Sequence, residues 1–180
     1  MKTIETKVYQ FKELDEQTKE KAIDNYRHIS VEDNFWYEFI KEDLISVGIE
    51  LRSFDLNRGS FAEIHIEDFY DTCKKIIDSH GVLCKTYIIA IRYIKEYNTI
   101  KEKIDNLECY ENDDSDKEHL NKLMQLDKDL EDLDEEYQQE FSWEVLSMLS
   151  KEYEYMTSDE HIIEMFENND WEFTEDGKQL

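Results

Sequence analysis

The sequence predicts an α+β fold, a small antiparallel sheet made of an N-terminal strand, a central hairpin and a C-terminal strand, packed with helices and carrying a long antiparallel helical hairpin. Three observations lead there. Two β-like runs flank the turn-forming Asn57-Arg58-Gly59-Ser60, and two long segments repeat apolar residues every three or four positions. The 180 residues include 11 Tyr, 9 Phe and 3 Trp, enough apolar surface for two packed layers although the apolar share is only 39%. There is no proline and only 4 glycines, so no flexible linker is expected. The chain reads as one domain over 1–180, with a mixed part at 1–82, a helical hairpin at 85–156 and a short helix and strand at 157–180.

The elements follow in order. Ile4, Val8 and Gln10 alternate with Thr3, Glu5, Lys7 and Tyr9, as on a half-buried strand. Asp15 suits the N-cap of a helix from Glu16 to Arg27, where Ala22, Ile23 and Tyr26 share a face. Ser30-Val31-Glu32-Asp33 reads as a cap with an acid at the third helical position, opening a helix through Phe35, Trp36, Phe39, Ile40, Leu44 and Val47 that stops at Gly48. Ile49, Leu51 and Phe54 and then Phe61, Ile64 and Ile66 form the hairpin around the turn. Glu67 to Ser79 suits a helix carrying Phe69, Cys73, Ile76 and Ile77, ended by His80-Gly81.

From Lys85 a longer helix is expected on the spacing of Tyr87, Ile91, Ile94, Tyr97, Ile100, Ile104 and Leu107. Asn112-Asp113-Asp114-Ser115-Asp116 reads as a polar turn. A second seam follows at Leu123, Leu126, Leu130, Leu133, Tyr137 and Phe141, and an antiparallel pairing buries both seams. Thr157-Ser158-Asp159-Glu160 opens a short helix with Ile162, Ile163 and Phe166. Trp171 to Thr174, before Glu175-Asp176-Gly177, reads as the last strand.

Charge is the extreme feature. The net value is -25, from 46 acids against 21 Lys and Arg, and it is regional: residues 1–60 carry -4, residues 61–110 carry -2 and residues 111–180 carry -19. At 100° per residue, the second seam occupies about 80° of the helix circumference. Asp127, Glu131 and Asp134 fall on one flank, Asp132 and Glu135 on the back, and Asp129, Glu136 and Glu140 on the other flank. Like charges at i,i+4 weaken a helix slightly, so fold stability does not account for them. A solvated, solubilising face is one account. The other is that the carboxylates imitate phosphates and occupy a basic groove. As one helix, residues 111–144 would carry about one net charge per 4 to 5 Å, against about 3.4 Å for one nucleic-acid strand and 1.7 Å for a duplex. The match is to a single strand, and imitation of a duplex would need a second acidic face or a homodimer. Direct nucleic-acid binding is disfavoured, because repulsion opposes it and no basic patch with interleaved aromatics occurs.

Catalytic and metal motifs are weak. Cys73, Cys84 and Cys109 match no zinc or redox spacing and are expected to be reduced thiols. A calcium loop starting at Asp114 would have His119 where Gly is required and Gln125 where Glu is required. Asp55 and Glu63-Ile64-His65 resemble the Asp and Glu-x-Lys arrangement of metal-dependent nucleases, with His in place of Lys and the acids that would complete the site not identifiable in the sequence. No histidine pair at i,i+4, nucleophile elbow or Gly-rich phosphate loop occurs. The expectation is a protein that is not an enzyme and takes no cofactor or metal. MKTIETKVYQF has no apolar signal core and no run has the length of a membrane span, so the expected location is the cytoplasm.

Val8 to Leu14, Lys19-Glu20-Lys21-Ala22, Glu32 to Tyr37, Ser53 to Arg58 and Glu172 to Lys178 together resemble small acidic proteins encoded by bacteriophages and prophages. The resemblance covers the first half of the chain well and the helical hairpin loosely. It implies a setting in the host bacterial cytoplasm and antagonism toward host defence, where acidic anti-restriction and anti-CRISPR proteins imitate nucleic acid. The resulting expectation is a host defence inhibitor whose contacts are Asp127, Asp129, Glu131, Asp132, Asp134, Glu135, Glu136 and Glu140. Its partner would be a basic nucleic-acid-binding protein such as a Cas effector or restriction enzyme, with no direct contact to nucleic acid or membrane. Two alternatives stand beside it: an assembly module using apolar surface such as Trp143, Tyr153 and Tyr155, and a metal-dependent nuclease using Asp55 and Glu63.

Overall fold

The computed structural model describes residues 7–108 and 117–180, with the side chain of residue 108 left aside. Of these residues 70% are helical, and the class is α+β, as the sequence predicts. They cluster into two compact units, residues 7–38 with 149–180, and residues 39–148. The central β-hairpin therefore groups with the helical hairpin, and the N-terminal strand with the C-terminal helix and strand. The expected alternation at residues 3–6, the polar turn at 112–116 and Cys109 lie outside the described residues.

In the first unit, β1 (Tyr9–Gln10) pairs antiparallel with β4 (Glu172–Phe173), Tyr9 opposite Phe173. α1 (Glu16–Tyr26) starts where the Asp15 carboxylate accepts the Thr18 N–H at 2.9 Å. That bond, with the Thr18 hydroxyl, holds the Asp15 carboxyl below its ordinary range. α6 (Asp159–Asn168) is capped by the Ser158 hydroxyl, which accepts the His161 N–H. The core is Phe11, Leu14, Ala22, Ile23, Ile162, Phe166 and Phe173, with Phe166 and Phe173 rings 5.0 Å apart. Arg27 ties α1 to α6 by bonding Asp24 and Asp159, at 2.9 and 2.6 Å.

The second unit contains α2 (Glu38–Val47), β2 (Ile49–Asp55), β3 (Phe61–Ile66), α3 (Phe69–Ser79), α4 (Lys85–Glu108) and α5 (Lys117–Met156) as far as Met148. β2 and β3 pair from Ile49 opposite Ile66 to Asp55 opposite Phe61, with a bulge between Leu51 and Ser53. The turn forms as expected. Asp55 accepts the Asn57 N–H at 2.7 Å, and Gly59 takes φ 94°, which a side chain would resist. α3 is capped by Asp68 through the Asp71 N–H.

Three expectations need correction. The strands do not share one sheet: β1–β4 and β2–β3 are separate two-stranded sheets, one in each unit. The helix expected from Ser30 is broken into 3-10 turns at Ile29–Val31 and Asn34–Tyr37 before α2 begins. The cap is Asp33, whose carboxylate accepts the Phe35 N–H at 3.0 Å, and it opens a tight turn rather than an α-helix. The α4 seam differs at its N-terminal end: Ile104 is buried and Tyr87, Ile94, Tyr97, Ile100 and Leu107 are half-buried as expected, but Ile91 is 42% exposed while Ala90 and Tyr93 are buried, because α4 packs on α3 as well as on α5. Among the described residues, no helix is long and apolar enough to cross a membrane.

Candidate interaction surface on the acidic helix

The eight proposed contact acids all lie on α5 and divide into two groups by their distance from its apolar seam. Leu133, Tyr137 and Phe141 are buried, while Leu123, Leu126 and Leu130 are half-buried, so the seam is covered most deeply toward its C-terminal end. The opposing α4 runs antiparallel, with Tyr93 meeting Asp134, Arg92 meeting Glu140 and Lys85 meeting Glu144.

Asp134 and Glu140 stand about 20° beyond the two edges of the seam. The hairpin uses both. The Tyr93 hydroxyl donates to Asp134 at 2.7 Å. Burial pushes the Asp134 carboxyl above its ordinary range, and the Tyr93 bond offsets this in part. Burial and the neighbouring carboxylate push the Tyr93 hydroxyl up as well, so it remains a donor. Glu140 forms an ion pair with the Arg92 guanidinium, whose own ionisation it pushes up, and the guanidinium lies 5.4 Å from the centre of the Tyr137 ring. The Tyr137 hydroxyl completes the set by donating to Glu96 at 3.0 Å.

The other six acids lie about 40° or more from the seam. Asp129 is half-buried and accepts the Gln125 amide at 2.8 Å. Asp127, Glu131, Asp132, Glu135 and Glu136 are exposed, and among the described residues none of the five takes part in a hydrogen bond or ion pair. They cover about 180° of the circumference along about 14 Å of axis. With Lys128 set against them, the surface carries about one net charge per 3.5 Å, close to the 3.4 Å of one nucleic-acid strand and half the density of a duplex.

Of the acids singled out from sequence, five therefore form a continuous surface of net negative charge and two belong to the hairpin's own packing. Tyr93 and Arg92, which make that division, were not singled out. Their pairing depends on the register between α4 and α5, and two apolar seams of the same period match in more than one register.

The residues of the two alternatives are placed differently. Asp55 is engaged by the Asn57 N–H, and Glu63 accepts the Ser53 hydroxyl at 2.8 Å. Among the described residues, no group of three or more His, Cys, Asp and Glu side chains is arranged to hold a metal ion. Trp143 is 63% exposed on α5 in the second unit. Tyr155 is half-exposed beside His161, and Tyr153 packs on Trp36 with ring centres 5.7 Å apart, both in the first unit. Cys73 is buried, which pushes its thiol up to about 12, and Cys84 is exposed; both are free.

Neither protein-family models, nor curated proteins, nor solved structures match this chain.

Proposed function

We propose that this protein is a non-enzymatic, phage-type inhibitor of a nucleic-acid-targeting defence complex, of the anti-CRISPR or anti-restriction kind. It acts in the host bacterial cytoplasm by placing α5 in a basic groove that normally holds one strand or a guide. The observation that carries this reading is the set of five exposed carboxylates without a cation partner among the described residues, Asp127, Glu131, Asp132, Glu135 and Glu136, at a charge spacing close to that of a single strand. Each would exchange solvent ions for a Lys or Arg of a Cas effector or restriction enzyme. Binding would be fast and strongly salt-dependent.

The test is inhibition of target cleavage by purified effectors from the natural host, at low and high salt. Neutralising the five acids together (Asp to Asn, Glu to Gln) is expected to weaken inhibition by about 100-fold or more at low salt and to flatten its salt dependence. Inhibition unchanged by the five substitutions would reject the mimicry.

A second reading is supported by the exposure of Trp143 on the same helix. On that reading the protein is an assembly module, its association insensitive to salt and lost in Trp143→Ala.

A further inference from the structure

The first unit holds a cavity of about 340 Å³ between the 3-10 turn after β1 and the C-terminal end of α6. A space of this size suits a small organic ligand. Its apolar lining comes from Phe11 and Phe166, buried rings 5.2 Å apart, and from the half-buried Trp171, whose ring lies 5.2 Å from that of Phe166. The local chain explains where Trp171 sits. α6 ends at Asn168, the backbone turns through Asp170 at φ 51°, and the Trp171 N–H donates back to the Phe166 carbonyl at 3.0 Å.

Three charged side chains line the same cavity, Lys12 from the turn after β1, and Glu167 and Asp170 from the end of α6 and the turn beyond it. All three residues are exposed, and among the described residues none of these side chains takes part in a hydrogen bond or ion pair. Other cations of this unit are matched within it: Lys19 by Glu16, Arg27 by Asp24 and Asp159, and Lys178 by Asp176. The setting favours a cationic ligand on local grounds. Residues 7–38 and 149–180 carry 18 acids against 7 Lys and Arg, a net of -11, and the cavity lies at the carbonyl end of the α6 dipole.

We propose that this cavity binds free arginine. The amino acid carries two cations and one anion, the inverse of the two carboxylates and one ammonium that line the space. One carboxylate takes the guanidinium and the other the α-ammonium, while Lys12 takes the α-carboxylate. The planar guanidinium also stacks on the Trp171 indole and meets a carboxylate through two parallel N–H groups, which an ammonium does not do. The inference does not depend on what α5 binds.

The test is calorimetric titration of the full chain with L-arginine at low salt, where a Kd on the order of 1 mM is expected for a ligand of this size. Citrulline, with a neutral group in place of the guanidinium, is expected to bind at least tenfold more weakly. Asp170→Asn keeps a residue that tolerates φ 51° and is expected to weaken arginine binding about tenfold. Lys12→Gln, at an exposed position, is expected to weaken arginine about fivefold and to leave agmatine, which lacks the carboxylate, undiminished. Arginine binding is expected to persist when the five α5 acids are neutralised, which separates it from general attraction to an acidic protein. No binding heat at 10-fold the expected Kd, equal binding of citrulline, undiminished binding to Asp170→Asn, equal loss of arginine and agmatine in Lys12→Gln, or loss of binding in the five-acid variant would each overturn the proposal.

Discussion

At Asp134 a carboxylate counted from sequence as solvent-facing is held against Tyr93 instead, and the difference can be measured. Its folded-state carboxyl is raised by burial, so the ionised form costs stability above the folded pKa, and the cost disappears below the unfolded one. Asp134→Asn keeps an oxygen for the Tyr93 hydroxyl and removes the charge. It is expected to raise the thermal midpoint at neutral pH by about 1–3 °C, a gain that vanishes as pH falls through the carboxylate range. Tyr93→Phe does the reverse, leaving a part-buried carboxylate without its donor, at a cost of about 1–2 kcal/mol at neutral pH that shrinks in acid. Gly48 is a second sensitive point. Its φ of 96° and the 2.9 Å between an added Cβ and the buried Thr72 hydroxyl oxygen leave no room for a side chain. Gly48→Ala is expected to lower the unfolding free energy by about 2 kcal/mol in a denaturant titration.

At the scale of elements, what the sequence disclosed depended on how local the cause was. Asp15, the Asn57 to Ser60 turn and the start of α6 at Ser158 act within three or four residues, and each forms as the pattern indicated. The start of α2 was misread because Ser30 and Asp33 both offer capping oxygens, and the choice between them depends on the tight turns around Trp36. The α5 seam was readable from its spacing, whereas α4 packs on α3 as well as on α5 and its periodicity alone did not place Ala90 and Tyr93 inward. In the candidate surface the acids themselves were readable, but not which ones the hairpin uses, as that depends on inter-helix register. Phe141, fully buried on α5, probes the hairpin as an element. Phe141→Ala is expected to cost about 3–5 kcal/mol in chemical unfolding, where truncating the exposed Trp143 costs less than about 1 kcal/mol.

Across the whole molecule, the charge sets stability against the proposed activity. Asp127 and Glu131, Glu131 and Glu135, and Asp132 and Glu136 are like-charged i,i+4 pairs, each costing a helix about 0.2–0.5 kcal/mol in low salt. Added salt is therefore expected to raise the thermal midpoint of the native protein. Neutralising the five exposed acids is expected to raise it at low salt by an amount equivalent to about 1 kcal/mol, and to remove much of its salt dependence. The same variant separates the two accounts of the acidic surface. If the acids only keep the protein in solution, the neutralised protein is more stable, less soluble and undiminished as an inhibitor. If they contact a basic groove, the variant gains stability and loses inhibition together, since the residues were kept at a cost to the fold. Thermal melts and cleavage inhibition measured on one preparation of each protein, at low and high salt, decide between them.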